Sequence, residues 1–261
     1  MKKLIVSGCS YTAKEFLSSA YPDLDTSWPK WPELLGKKLN MKVVNLAQDG
    51  AGNRFILQTL LDKIERTSKD KIGLVMAAWS QANRDDWQTG MPISKWSNNR
   101  IKRPGDIYGW VRESLLGYIT LQNVCKRYNI PLKQFQMIGL YNGWISGLGR
   151  TEDEIRAGLP NYVYEGDEEA DRQQIRLLIR DYEQFIDKDS FLGYKKTTNL
   201  NDKLSPPMWA PIEGSVTLLD KIAYPMDLSA GDDMYKISKF DEHPNELGQQ
   251  KLVEVIYDRM G

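Results

Sequence analysis

The chain opens with Lys3-Leu4-Ile5-Val6-Ser7-Gly8-Cys9-Ser10-Tyr11-Thr12, a short apolar run that stops at a glycine followed by a thiol and a hydroxyl. The apolar part, residues 4–6, is too short for a core helix, and its branched side chains favour a buried strand. The glycine and the two residues after it therefore predict a turn from this strand into a loop. A nucleophilic side chain can be placed in such a turn.

Length and composition restrict the class of protein. With 261 residues, 41% of them hydrophobic, the chain can form one large domain with a substantial core. Its 35 basic residues balance 35 acidic ones, which argues against nucleic acid or an anionic membrane as a partner. No apolar run approaches the roughly 18 residues that a membrane span needs, and the N-terminus lacks a signal-peptide pattern. We therefore expect a soluble protein made in the cytoplasm.

Metal and cofactor chemistry is not expected from this sequence. Cys9 and Cys125, the two cysteines, lack metal-ligand spacing and cannot form a disulfide framework. His243 is the single histidine, which argues against a zinc site. No glycine-rich phosphate loop follows a predicted strand, so a nucleotide-binding domain is the least favoured interpretation.

Strands alternate with helices along the first half of the chain. The predicted strands after the first are residues 42–46, 72–78 and 132–140, and the predicted helices are residues 28–39, 55–64 and 111–128. This alternation predicts a parallel α/β sheet covered on both faces. We expect a single domain, residues 1–261, in which residues 141–235 form an insertion or lid.

Two segments lack a regular pattern. Residues 79–110 are polar, and the insertion carries a capping box at 151–154, an acidic stretch at 165–171 and a helix at about 172–186. The acidic stretch is interpreted as a solvated face. Six tryptophans in or near these segments are predicted to pack loops onto the domain, with an apolar wall against a sugar or acyl group as the alternative. They are Trp79, Trp87, Trp96, Trp110, Trp144 and Trp209.

Three polar loops, residues 8–10, 50–53 and 79–83, directly follow predicted strands. Open parallel sheets bind ligands at the carboxyl ends of their strands, so these loops should meet at one edge. Ser10, His243 and Asp241 supply the residue types of a nucleophile, a base and a group that orients the base. His243 is predicted to cap the last helix, with Pro244 in the first helical position.

Three segments resemble, in their order and context, the SGNH (GDSL-like) hydrolase superfamily. They are Gly8-Cys9-Ser10, residues 45–53 and Asp241-Glu242-His243-Pro244-Asn245. Within that superfamily, the opening of this chain is similar to the phage and bacterial branch that opens with Gly-Cys-Ser-Tyr/Phe-Thr. The resemblance covers roughly residues 1–80 and 238–261, and it implies a three-layer α/β/α flavodoxin-like fold with a central parallel sheet. It also implies Ser10 as nucleophile, His243 as base, and the backbone N–H groups of Ser10 and Gly50 as oxyanion donors.

Two features depart from the pattern of that superfamily. Its third block supplies a Gly-x-Asn whose amide completes the oxyanion hole, whereas this strand continues as Ala77-Ala78-Trp79-Ser80-Gln81-Ala82-Asn83. Ser80, Gln81 or Asn83 is the candidate substitute. The superfamily also places its aspartate three residues before the histidine, and Asp241 is two before it; Glu242 or another carboxylate is the alternative orienting group.

Two further residues beside the expected site have more than one interpretation. Asn53 is either a cap for the helix that follows or a substrate ligand. Cys9 is interpreted as a small packed residue, with the role of nucleophile as its alternative.

The function predicted from these residues is a serine esterase that removes small acyl groups through an acyl-enzyme. The resemblance and the tryptophans extend this prediction to O-acetyl groups on a carbohydrate. Its partner would then be a small-molecule or carbohydrate ester. The alternative is a catalytically decayed relative that acts as a glycan-binding or virion structural component, with a virion partner or a homo-oligomer as its assembly.

Overall fold

The computed structural model of the protein describes residues 1–18, 20–89, 95–99, 105–141, 168–193, 232–238 and 241–260. Its strands are β1 (Lys3–Ser7), β2 (Lys42–Asn45), β3 (Ile72–Trp79), β4 (Asp85–Thr89), β5 (Lys95–Asn99), β6 (Leu132–Gln136), β7 (Lys236–Ser238) and β8 (Asp241–Pro244). Its α-helices are α1 (Trp31–Lys38), α2 (Asn53–Glu65), α3 (Ile107–Arg127), α4 (Glu168–Glu183) and α5 (Glu246–Met260).

A parallel sheet in the order β2-β1-β3-β6 forms the centre of the structure. Every residue of β3 is buried, as expected for a central strand covered on both faces. Beyond β6 the chain adds one further parallel bridge, in which the Gln134 N–H donates to the Ser190 carbonyl and the Leu192 N–H donates to the Gln134 carbonyl. The predicted parallel α/β fold is confirmed.

Helices cover both faces of the sheet. The chain moves from β1 to β2 in one direction and from β2 to β3 in the other, so right-handed crossovers place α1 and α2 on opposite faces. Helix α5 packs beside α1, and α2 packs beside α3, which in turn contacts α4. The structure therefore has three layers, and no described helix is long and apolar enough to cross a membrane.

The segment predicted as irregular between residues 79 and 110 contains an antiparallel hairpin of β4 and β5. Sequence patterning missed it because both strands, Asp-Asp-Trp-Gln-Thr and Lys-Trp-Ser-Asn-Asn, are mostly polar and lack an apolar alternation.

The prediction that His243 caps the last helix was wrong. Helix α5 begins at Glu246, and the Asn245 Oδ1 atom accepts from the Gly248 N–H at 2.9 Å, while Pro244 pairs with Lys236 in the β7–β8 hairpin. The proline signal gave the wrong position because strand pairing holds Pro244 outside the helix.

Several other predicted features can be placed. Trp79 and Trp110 are buried in the core, and the Tyr108 hydroxyl donates to Asp171, so this end of the acidic stretch joins α3 to α4. The predicted helix at about 172–186 corresponds to α4, which begins and ends slightly earlier. The side chains of Trp87 and Trp96, the capping box at 151–154, Trp144 and Trp209 lie outside the described residues.

Gly8 and Gly117 provide a matched test of packing at the β1 turn. A Cβ at Gly8 would lie 2.5 Å from Thr12 Oγ1 and 3.1 Å from the Ala78 Cβ, whereas a Cβ at Gly117 in α3 would lie 3.7 Å from Leu57 Cδ2. We expect Gly8→Ala to lower the free energy of unfolding by about 1–3 kcal/mol through overpacking. Gly117→Ala should leave it unchanged or raise it by up to about 1 kcal/mol, since alanine favours helix. Urea unfolding measures both, and equal effects would contradict the expectation.

Candidate active site

The turn after β1 places Ser10 at the carboxyl end of the central sheet. The N–H groups of Thr12 and Ala13 donate to the Cys9 carbonyl at 2.8 and 2.9 Å, which closes the turn tightly. Cys9 is fully buried within the hydrophobic core, and Ser10 is only 1% exposed. Of the two candidate nucleophiles, Ser10 is the one that contacts the histidine.

Ser10, His243 and Asp241 form a continuous hydrogen-bonded line. His243 Nε2 lies 2.8 Å from Ser10 Oγ, and His243 Nδ1 lies 2.5 Å from Asp241 Oδ1. A neutral imidazole with its proton on Nδ1 donates to the carboxylate and accepts the Ser10 hydroxyl proton at Nε2. Residues 233 positions apart in the sequence are thereby brought into the arrangement that activates a serine.

The local conformation of β8 explains why a spacing of two residues is enough to bring the side chains of Asp241 and His243 together. Side chains at positions i and i+2 lie on the same face of a strand, so Asp241 and His243 project to the same side. The His243 backbone N–H also donates to Asp241 Oδ1 at 3.0 Å. The Glu242 side chain, the alternative orienting group, lies outside the described residues.

The Asp241 carboxylate is buried and well supplied with hydrogen bonds. Its Oδ2 atom accepts from the Ser18 hydroxyl, and the residue is 4% exposed. Burial alone would raise the pKa of this carboxyl, but hydrogen bonds from Ser18 and from the His243 backbone and ring outweigh burial, so the pKa is lowered. A carboxylate that stays ionised stabilises the imidazolium formed when His243 takes a proton.

Two aromatic rings hold the imidazole. The Phe16 ring stacks on His243 with centroids 4.5 Å apart and an interplanar angle of 19°, and the Tyr11 ring lies 4.8 Å away at 34°. The buried Lys30 ammonium lies 5.6 Å from the Phe16 centroid and donates to the carbonyls of Thr26 and Trp28. These contacts restrict rotation of the His243 ring and were not predicted from the sequence.

The Gly50 loop is built against the segment that follows β3. Gly50 has a φ of +72°, a left-handed conformation that favours glycine. Just after it, Asp86 accepts from the N–H groups of Gly52 and Phe55 at 2.8 and 2.9 Å, and Arg84 Nη1 donates to the Ala51 carbonyl at 2.9 Å. These bonds fix the loop without using the Gly50 N–H.

The backbone N–H groups of Ser10 and Gly50 lie in the loops that follow β1 and β2. No described residue accepts a hydrogen bond from the N–H of Ser10 or Gly50. Both groups follow strands whose carboxyl ends meet, since the Gln48 N–H donates to the Gly8 carbonyl at 3.1 Å.

Asn53 joins the second loop to the third. Its Oδ1 accepts from the Ser80 N–H at 2.7 Å, and its Nδ2 donates to the Ser80 carbonyl and to Ser114 Oγ, both at 3.0 Å. The interpretation of Asn53 as the helix cap was wrong, because Gly52 occupies that position and the Asn53 side chain makes no bond to the first turn. Both amide protons of Asn53 are used inside the protein.

The residues considered for the missing asparagine differ in their surroundings. Ser80 is fully buried, and its hydroxyl has no hydrogen-bond partner among the described residues. Gln81 and Asn83 are half-buried. Ser10 and Ser80 each lie three positions beyond a paired residue, Ser7 and Ala77, at the same end of adjacent parallel strands.

Within the described part of the chain, no group of three or more histidine, cysteine or acidic side chains is arranged to hold a metal ion.

Comparison with known proteins gives distant structural similarities. No protein-family model and no curated protein sequence matches the chain. Among solved structures, the esterase EstA from Pseudoalteromonas sp. is similar at 14% identity and a TM-score of 0.43, with 100% of this chain and 97% of EstA covered. A protein described as lipolytic, of the G-D-S-L family, from Desulfitobacterium hafniense is similar at 14% identity and a TM-score of 0.44, with 99% of each chain covered. TesA is similar at 16% identity and a TM-score of 0.44, with 99% of this chain and 98% of TesA covered. Because these similarities are so distant, the function is inferred from this chain's own side chains.

Substitution of Asn53 tests the junction between the two loops. We expect Asn53→Asp to lower the free energy of unfolding by roughly 1–3 kcal/mol at pH 7, because a carboxylate cannot donate to Ser80 and Ser114. Burial beside a carbonyl raises the folded-state pKa of the introduced carboxyl above its unfolded value of about 3.9. The introduced carboxyl therefore contributes to the free energy of unfolding below a pH of about 3.9, and this contribution is lost as the pH rises through the folded-state pKa.

The deficit relative to the wild type, measured by urea unfolding, should therefore be smaller at pH 4 than at pH 7. Asn40→Asp is the matched control, because Asn40 lies in a turn with a φ of 51° that aspartate also tolerates. A pH-independent deficit for Asn53→Asp would contradict the assigned contacts.

Proposed function

We propose that this protein is a serine ester hydrolase of the SGNH type that forms an acyl-enzyme at Ser10. The observation that carries the proposal is the hydrogen-bonded line from Ser10 Oγ through His243 to Asp241, with distances of 2.8 and 2.5 Å. It is formed by the only histidine of the chain.

In the proposed reaction, Ser10 Oγ attacks the ester carbonyl carbon as its proton passes to His243 Nε2. The N–H groups of Ser10 and Gly50 bind the oxyanion that develops, while Asp241 stabilises the imidazolium. The C–O bond to the alcohol then breaks, and His243 returns the proton to the leaving oxygen. In the second half, His243 takes a proton from water, hydroxide attacks the acyl carbon, and Ser10 is released with its proton restored.

Burial of the nucleophile supports a small acyl group as the substrate. Ser10 is 1% exposed, while the His243 side chain is 22% exposed. An ester therefore has more access from the histidine side than directly above Ser10, and a short acyl group such as acetyl fits this restriction best. The proposal that the alcohol is a carbohydrate rests on the resemblance alone, since Trp79 and Trp110 pack in the core.

The sequence that follows β3 favours a second candidate function. Because no Gly-x-Asn follows β3, the oxyanion hole has lost one donor of the superfamily pattern, which typically costs about 3–4 kcal/mol of transition-state stabilisation. A protein with this loss could retain the fold as a glycan-binding or virion structural component. The complete triad geometry favours the enzyme.

Labelling with a fluorophosphonate tests the enzyme directly. We expect the wild type to gain one covalent adduct by intact mass and Ser10→Ala to gain none, because the reagent reacts with an activated serine hydroxyl. Cys9→Ala, which removes the alternative nucleophile, should still be labelled. Turnover should be faster on p-nitrophenyl acetate than on p-nitrophenyl octanoate. A folded wild type without adduct or turnover, combined with saturable glycan binding, would support the second candidate.

Alanine variants at the third block test which side chain completes the oxyanion hole. We propose Ser80, because a buried hydroxyl without a partner is satisfied when an oxyanion binds to it. Ser80→Ala should lower kcat on p-nitrophenyl acetate by about 10²–10³-fold with a smaller change in KM. Gln81→Ala and Asn83→Ala should each have little effect. Loss of kcat in Asn83→Ala with Ser80→Ala unaffected would transfer the role to the amide.

A further inference from the structure

Ser18 contacts the triad from the side opposite to His243. Although 223 positions separate the two residues, the Ser18 hydroxyl donates to Asp241 Oδ2, and Ser18 is only 3% exposed. The Ser18 Oγ atom also accepts from the Tyr21 N–H at 3.0 Å. This second bond occupies a lone pair of the hydroxyl and directs its proton toward the carboxylate.

We propose that Ser18 is a positioning residue for Asp241, an inference that rests on the proposed serine hydrolase function. His243 occupies Oδ1 through both its ring Nδ1 and its backbone N–H. Ser18 occupies Oδ2, so both oxygens are held and the carboxylate cannot rotate about its last side-chain bond without losing a hydrogen bond.

The two-residue spacing between Asp241 and His243 makes this restraint useful. The aspartate reaches the imidazole from the same strand, and rotation of the carboxylate would break the hydrogen bond between Oδ1 and His243 Nδ1. A donor from another segment prevents that rotation. It also offsets the cost of keeping a carboxylate ionised at 4% exposure.

The segment that carries Ser18 is itself well anchored. Phe16, two residues earlier, stacks on the His243 ring, and its carbonyl accepts from Thr26 Oγ1 at 2.9 Å. Residues 16 and 18 therefore contact the histidine and the aspartate, respectively. This short segment supports both partners of Ser10.

A pair of isosteric variants isolates the hydroxyl. Ser18→Thr keeps the hydroxyl donor, and Ser18→Val introduces a side chain of the same shape as threonine but without the hydroxyl. Loss of a hydrogen bond to a charged group corresponds to roughly a 10- to 150-fold effect. We therefore expect Ser18→Val to reduce kcat on p-nitrophenyl acetate and the rate of fluorophosphonate labelling by that factor, with KM changed less than about threefold. Ser18→Thr should stay near the wild type.

The pH dependence should also differ between the two variants. Without the hydrogen bond from Ser18, the Asp241 carboxylate takes up a proton at a higher pH, so the titration of this carboxyl, followed by NMR, should move to higher pH in Ser18→Val and not in Ser18→Thr. Ser68→Ala is the control, because Ser68 donates to Asp70 on the exposed surface and its loss removes the same kind of bond away from the site. A merely structural role for Ser18 would lower thermal stability in Ser18→Val but leave the Asp241 titration unchanged.

Failure of the inference can be separated from failure of the proposed function. If the wild type is labelled, and Ser18→Val and Ser18→Thr have the same rate and the same Asp241 titration, the inference is overturned while the proposed function stands. If the wild type is neither labelled nor active, the proposed function fails. The low-field proton resonance of the His243 Nδ1–H then still decides the contact: loss in Ser18→Val with retention in Ser18→Thr supports it, and identical spectra overturn it.

Discussion

The hydrogen bond between His243 Nδ1 and Asp241 Oδ1 is the interaction on which the proposed chemistry depends, because it determines which imidazole nitrogen faces Ser10. The bond joins two residues of a short hairpin strand, and that strand must be held against a loop from the other end of the chain. Gln249 of α5 provides this connection. Its Oε1 accepts from the Trp31 N–H at 2.8 Å and its Nε2 donates to the Tyr11 carbonyl at 3.4 Å.

A second set of buried contacts supports the oxyanion side independently of the triad. Asn53 binds both backbone groups of Ser80, and Asp86 binds two N–H groups at the start of α2. A Cβ at Gly52 would lie 2.7 Å from Asp86 Oδ2, so the loop approaches this carboxylate too closely for any other residue. Because these contacts are formed within the protein itself, they hold the loop that carries Gly50 in one conformation, as the proposed oxyanion hole requires.

The sequence was sufficient to predict the central sheet, because β1 and β3 are continuous apolar runs and their helices have clear periodicity. Residue type and order along the chain also made Ser10, Asp241 and His243 the candidates, and the structure brings these three side chains within hydrogen-bond distance. Ser18, Phe16 and Asp86 could not be found in this way. Their roles arise from contacts between distant segments, and a serine, a phenylalanine or an aspartate in a loop has many ordinary explanations. Only for Tyr11 did the sequence carry a signal, because its position next to Ser10 places it near the site.

Ser10, Ser80 and Asp241 are almost entirely withdrawn from water, and this burial has a cost that only a complete set of hydrogen bonds can offset. Asp241 has that set, with donors from Ser18, from the His243 ring and from the backbone. Ser80 lacks one, because its buried hydroxyl has no partner among the described residues. Under the proposed mechanism, the Ser80 hydroxyl gains a partner when the oxyanion forms, whereas the Asp241 carboxylate already has its full set. This contrast favours catalysis over a binding role.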